Sequence, residues 1–206
     1  MRHARTYGRE EAAVAQLVLL ESIIKHLREE NQRLRAIADH DPLTGLCNRR
    51  RFEESLCEGI GAAHRYRGTM TLLMVDLDGM KRVNDTQGHA AGDEVLRAVA
   101  EVLTSSVRGC DVTARLGGDE FAVVMPATDA LGAEVVAERI RSRVASLVVT
   151  GGLHVSASIG VAELGRLRDP RDAAAELKER ADAALYAAKN AGKNRVVSHT
   201  SLKEAA

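Results

Sequence analysis

The chain lacks any long apolar run. Nothing in it approaches the roughly 20 consecutive apolar residues that a membrane-spanning helix needs, and nothing resembles a signal peptide, so membrane insertion is not expected. It also lacks an excess of charge of one sign. With 29 Lys and Arg against 29 Asp and Glu, it has no field to recruit nucleic acid or an anionic membrane, and neither is expected as a partner. Cysteine is scarce. Cys47, Cys57 and Cys110 have no metal-binding spacing and make no even disulfide set, which points to a reducing, cytoplasmic setting. No Walker-type phosphate loop is present, so any phosphate must be held by metal and backbone amides. What is present is 206 residues, 45% apolar and 28% charged, enough to bury one sizeable core.

Two acidic segments stand out. In Arg115-Leu116-Gly117-Gly118-Asp119-Glu120-Phe121, two carboxylates follow two glycines and precede an apolar strand. Gly117 and Gly118 can adopt the positive φ of a tight hairpin turn, which places Asp119 and Glu120 at a turn-to-strand junction, pointing to opposite sides. In Thr71-Leu72-Leu73-Met74-Val75-Asp76-Leu77-Asp78, an apolar run of strand length ends in Asp-x-Asp. Unpaired anions at the edge of a core repel one another and cost desolvation. Hard divalent cations would offset that, and magnesium takes one or two carboxylates while leaving positions for water and phosphate. Asp76 with Asp119 or Glu120 would make a two-metal phosphoryl-transfer centre.

The spacing predicts a helix over residues 48–66, a strand over 70–76, a short helix over 79–84 and a helix over 90–106. A hairpin of strands 111–115 and 120–125 follows, then helix 129–147, strand 154–162, helix 171–190 and strand 194–198. A hairpin interrupting the alternation of helix and strand predicts an α/β fold with a mixed sheet. The first 40 residues differ. Leu17, Ile24, Asn31 and Ala38 at heptad position a put Ala13, Leu20, Leu27 and Leu34 at d, without proline or glycine. Leucine at d with one asparagine at a favours a parallel two-stranded coiled coil, and Glu30 and Arg35 are spaced for an interchain ion pair. An amphipathic helix packed on its own domain is the alternative, left open by Val18 and Leu19 off the seam. Arg2, Arg5 and Arg9 fall in the leading end.

Between the acidic segments lies Lys81-Arg82-Val83-Asn84-Asp85-Thr86-Gln87-Gly88-His89-Ala90-Ala91-Gly92-Asp93-Glu94-Val95-Leu96. With it, the chain resembles a GGDEF domain, the catalytic domain of bacterial diguanylate cyclases. Five blocks match in order: Asp41 to Arg50, Asp76 to Leu96, the signature at 117–121, Ser156 to Val161, and Ala181 to Lys189. They span about 155 residues, which makes chance a poor explanation. The resemblance implies a palm-like class III nucleotide cyclase fold, with a mixed central sheet of about five strands flanked by helices. It divides the chain into a coiled-coil helix at 1–40, a catalytic domain at 41–200 and a tail at 201–206.

It also implies roles. Asp76, the Leu77 carbonyl, Asp119 and Glu120 match the metal site, for two Mg2+ or Mn2+ ions per half-site. Asp119 or Glu120 would assist deprotonation of the attacking hydroxyl. Amides of Asp78, Gly79, Met80 and Lys81 would cradle the β and γ phosphates, with Lys81, Lys189 and Lys193 neutralising them. Asn84 and Asp93 match the guanine readers that select GTP, and His89 between them either contacts base or ribose or caps and packs a helix. Met80 and Lys193 depart from the family's usual phenylalanine or leucine and arginine; lysine keeps the charge but loses the bidentate fork.

The product, cyclic di-GMP, contains two nucleotides, so the resemblance implies a homodimer, joined here through residues 13–38. Control would then act at residues 35–44. Arg108-Gly109-Cys110-Asp111 has the Arg-x-x-Asp form and the position of the family's inhibitory product site, with Arg139 as its third member. The bland alternative is a surface ion pair. A rival function is a catalytically weak or inactive domain acting as a GTP or cyclic di-GMP receptor, but such domains usually lose acids that this chain retains.

Overall fold

The computed structural model describes residues 16, 19–30, 38–148, 152–165 and 170–204. The chain divides into two units, Met1–Asp39 and His40–Ala206. In the first, residues 19–30 are helical, and Leu19, Leu20, Ile23, Ile24 and Leu27 are all exposed. Ala13, Leu17, Val18, Asn31, Leu34 and Arg35 of the expected heptads, and Arg2, Arg5 and Arg9, lie outside the described residues.

The second unit is built on β1 (Met70–Asp78), whose nine residues are buried almost throughout. Strand period explains why. Leu73, Val75 and Leu77 join one apolar cluster, while Met70, Leu72 and Met74 join the other, so β1 is covered on both faces. Around it the order is β2 (Val112–Gly117), β3 (Glu120–Pro126), β1, β4 (Ser156–Glu163) and β5 (Val196–Ser198). β1 runs antiparallel to β3 and β4, β2 and β3 form the hairpin, and β5 joins β4 in parallel. The sheet is mixed and five-stranded, as expected.

Helices cover both faces. One carries α1 (Arg49–Tyr66) and α5 (Pro170–Asn190); the other carries α2 (Met80–Gln87), α3 (His89–Ser106) and α4 (Ala130–Ala145). Capping sets two of their starts: the side chains of Asn48 and Asp129 accept from the amides of Arg51 and Gly132, at 3.1 and 2.8 Å. Helix α5 approaches β4 closely. A Cβ on Gly160 would fall 2.2 Å from the Ala181 carbonyl and 2.4 Å from the Leu185 amide, so this strand position has room for no side chain.

Most boundaries shift by one to three residues from the expected ones, and three of the differences have a local cause. Helix α2 runs on to Gln87 instead of stopping at residue 84, because Gly88 ends it by donating to the Asn84 carbonyl. Strand β5 begins at Val196, since Lys193 and Asn194 adopt left-handed backbone (φ 61° and 44°) that no strand accommodates. Residues of the tail expected at 201–206 belong in part to the sixth described helix of this second unit, α6 (His199–Glu204), a stretch free of glycine and proline. The cysteines form no disulfide: Cys57 and Cys110 are exposed and Cys47 is half-buried.

Candidate functional site

The even-numbered residues at the end of β1 emerge on the α5 side of the sheet. Asp76 stands directly opposite Glu120 on β3, and the Leu77 amide donates to the Asp119 carbonyl at 3.2 Å. The signature turn makes this possible: Gly117 and Gly118 have φ of 142° and 55°, and β2 shifts register between Arg115 and Gly117. Asp76 and Asp119 thus meet in one cavity of about 610 Å³, which also contains Lys81, Lys189 and Lys193.

The floor of that cavity is the start of α2. Its N-cap, Gly79, has φ 90° and no side chain satisfies the first amides of the helix. An anion placed there would meet unpaired N–H groups and the positive end of the helix. On its other side α2 borders a second cavity, of about 470 Å³, lined by Asn84, His89 and Asp93. The two share Met80, Lys81, Asp85 and Asp119, so the polar residues form one continuous trough. His89 opens α3, whose N-cap is Gly88.

Electrostatics at the end of β1 is unbalanced. Burial pushes the Asp76 carboxyl up; Lys189, 2.7 Å away, pulls it down, but the charges of Asp119 and Asp78 push it up again and the net shift is upward. Burial and the charge of Glu120 likewise raise Asp182 on α5. Among the described residues, no three carboxylate, histidine or cysteine side chains form a ready cage for an ion. The donors fit magnesium nonetheless, because it binds through one or two carboxylates and completes its shell with water and phosphate.

Several predicted residues are held differently from expectation. Lys189 pairs with Asp76 instead of standing free for phosphate. Asp78 lines the cavity, and its carboxylate, for which no role was expected beside that of its amide, is held in a buried network, accepting from Ser156 (2.8 Å), Ser158 (2.9 Å) and the Asn194 amide (3.1 Å). That network ties the end of β1 to β4 and to the turn bearing Lys193. Glu120 is exposed, with Arg49 at 3.8 Å. Arg108 and Asp111 do not form the side-chain ion pair: the Asp111 carboxylate accepts from the Arg108 main-chain amide at 2.8 Å, leaving the Arg108 side chain exposed. Arg139 donates to the Ser106 carbonyl, which places it beside that turn.

Sequence reasoning missed the clamp behind the signature. Arg115 donates through Nε and Nη2 to the Gly118 carbonyl (3.0 and 2.8 Å) and through Nη1 to Asp41 (3.1 Å). Asp41 also accepts from the Thr44 amide and hydroxyl. The loop before α1 is therefore fastened to the turn that carries Asp119, and Cys47 adds main-chain bonds to Thr113 and Arg115. The signal was Arg115 at the head of the signature and Asp41 at the head of the first matching block. Burial pushes the Asp41 carboxyl up, but Thr44 and Arg115 together hold it below the usual carboxylate range. A lowered pKa adds stability above the unfolded-state value and loses it as pH falls through the folded value. Asp41→Asn is accordingly expected to cost about 1–3 kcal/mol at neutral pH. Denaturant unfolding should show that gap to wild type closing as pH falls through the lowered folded-state value; a gap unchanged with pH would contradict the assignment.

A larger cavity, of about 1040 Å³, opens at the other end of β1 among His64, Arg67, Glu163 and Arg180, and none of the predicted site residues line it. No described helix is long and apolar enough to cross a membrane.

Against known proteins, residues 38–195 match the family model described as "Diguanylate cyclase, GGDEF domain". The chain is 39% identical over 180 residues to the probable diguanylate cyclase DgcE of Escherichia coli K12, covering 84% of this chain and 16% of that protein. It is 39% identical over 203 residues to the diguanylate cyclase DgcM of the same strain, covering 95% and 47%. The chain therefore spans less than half the length of these relatives. Among solved structures, it resembles the coiled coil and GGDEF domain of DgcB from Caulobacter crescentus in complex with c-di-GMP. The TM-score is 0.78 at 35% identity, covering 89% of this chain and 97% of that one.

Proposed function

Since this chain belongs to the GGDEF-domain family of diguanylate cyclases, we propose that it condenses two GTP molecules into cyclic di-GMP and two pyrophosphates. The observation that carries this reading is the continuous trough around α2, acidic and lysine-lined at one end and bearing Asn84 and Asp93 at the other. A nucleotide has the same polarity, triphosphate at one end and base at the other.

Asp76, Asp119 and the Leu77 carbonyl would hold Mg2+ or Mn2+, with Glu120 opposite Asp76 as a further ligand. Divalent metal supplies charge for the triphosphate and lowers the pKa of a coordinated hydroxyl. The chain's own groups do the positioning. The first amides of α2 and Lys81 receive the β and γ phosphates; Lys193 adds charge, and Lys189 can trade Asp76 for phosphate when metal neutralises the carboxylate. Asn84 and the Asp93 carboxylate accept from the guanine N1 and exocyclic amine, protons that adenine does not offer in that arrangement.

Each 3' hydroxyl attacks the α phosphate of the other nucleotide. A new phosphorus–oxygen bond forms, the bond to pyrophosphate breaks, and Asp119 or Glu120 takes the hydroxyl proton. The two half-sites belong to two chains, brought together by the helix that exposes Leu20, Ile24 and Leu27. Incubation of the dimer with GTP and magnesium, followed by chromatography, is expected to yield cyclic di-GMP. Tight GTP or cyclic di-GMP binding without turnover would instead make the chain a receptor.

Product is expected to inhibit at Arg108, Asp111 and Arg139. With Asp111 engaged by main chain, the Arg108 guanidinium is exposed for phosphate or the guanine face. Arg108→Ala should leave initial turnover intact and abolish inhibition by added cyclic di-GMP. Inhibition that persists in this variant would remove the site from consideration.

A further inference from the structure

Asn84 and Gly92 touch. Asn84 lies in the last turns of α2 and Gly92 in the first turn of α3, and the two short arms meet at Gly88. A Cβ built on Gly92 would stand 2.0 Å from Asn84 Oδ1 and 3.1 Å from its Cγ. No atom pair tolerates that, so a side chain at 92 and the present Asn84 rotamer exclude each other. Gly92 is buried in a helix and needs no left-handed backbone. Glycine there costs about 1 kcal/mol of helix propensity relative to alanine. Its use must therefore lie in the space it leaves.

That space cannot be made by moving the helices. Met80 and Val83 bury α2, and Val95 and Leu96 bury α3, each 6% exposed or less, so their backbones are fixed by the core. Only the Asn84 side chain is free to yield. It yields into the cavity shared with His89 and Asp93, where its oxygen would no longer face a base held by Asp93.

We propose that Gly92 is a positioning residue for guanine selection: the missing Cβ lets the Asn84 amide lie flat against α3, beside Asp93, at the height the base requires. The proposal rests on the assignment of Asn84 as a base reader. It places selectivity partly in a residue that touches no ligand. A side chain at 92 rotates Asn84 away, and guanine nucleotides lose their advantage over adenine nucleotides while phosphate binding at the other end of the trough is untouched.

The test is equilibrium binding of non-hydrolysable GTP and ATP analogues to wild type, Gly92→Ala, Asn84→Ala and the double variant. Gly92→Ala is expected to weaken the GTP analogue by about tenfold or more, leave the weak ATP analogue unchanged, and add less than about twofold when Asn84 is already alanine. Wild-type affinity in Gly92→Ala overturns the proposal, as does a full additional loss in the double variant. Unchanged binding by Asn84→Ala overturns it by removing the base-reading assignment itself, which distinguishes the two failures. Should Gly92→Ala fail to fold, the double variant, lacking the colliding amide, is expected to fold. Failure there too overturns the proposal, because the Cβ would then collide with something other than Asn84.

Discussion

Asp76→Asn is expected to lower cyclic di-GMP formation about a thousandfold while leaving the fold intact. The substitution is isosteric, so packing at the end of β1 is preserved and only the charge is lost. Asp76 is a half-buried acid facing the cavity, with Asp119 lining the same cavity and Lys189 at 2.7 Å. Metal at a phosphoryl-transfer site contributes several kcal/mol of transition-state stabilisation, and each 1.36 kcal/mol is a factor of ten in rate. The measurement is product formed per chain at saturating GTP and magnesium, alongside thermal unfolding with and without metal. Wild-type protein should be stabilised by the metal and Asp76→Asn should not. Retained turnover within tenfold of wild type would place the metal centre elsewhere.

The second large effect concerns association. Leu20→Glu combined with Leu27→Glu puts charge at two exposed d positions of the N-terminal helix, 48% and 61% accessible in the single chain. A pair of glutamates at each seam layer repels across a two-stranded coil. The variant is expected to sediment as a monomer and to lose roughly a hundredfold or more in specific activity at micromolar protein, because tethering gives effective concentrations near the millimolar range. Activity should return as protein concentration rises, with rate per chain climbing in proportion. A variant that stays dimeric, or a monomer whose rate per chain ignores concentration, would rule out catalysis between tethered domains.

The parts of the molecule legible from sequence were those with a local pattern. β1 announced itself by an apolar run ending in Asp-x-Asp, and its odd and even residues do divide between two cores. The mixed five-stranded sheet followed from one hairpin among alternating helices and strands. Asn84 and Asp93 were placed by a motif nine residues apart, and they do line one cavity. What escaped notice were contacts made across long stretches of chain. The Asp78 carboxylate is held by Ser156, Ser158 and Asn194, 78 to 116 residues distant, a network that no local pattern in the sequence marks. Arg115 and Asp41 are 74 residues apart, and neither has a periodicity that would pair them. Lys189 had been assigned to phosphate, and only the fold shows that it also answers the buried charge of Asp76. The end of α2, expected at residue 84, is set by a glycine hydrogen bond and not by its apolar face.

The close seating of α5 on β4 has a reach beyond packing. Gly160 is a spacer of zero thickness: the carbonyl of Ala181 and the amide of Leu185 rest directly on the strand. Lys189 lies one helical turn beyond Leu185, so its height above the sheet is inherited from that contact. A single methyl group at position 160 would tilt the helix like a shim under a lever, lifting the ammonium group from Asp76 without altering any residue in the cavity. The reach of the Lys189 ammonium toward Asp76 is thus gauged by an atom that a neighbouring strand does not possess.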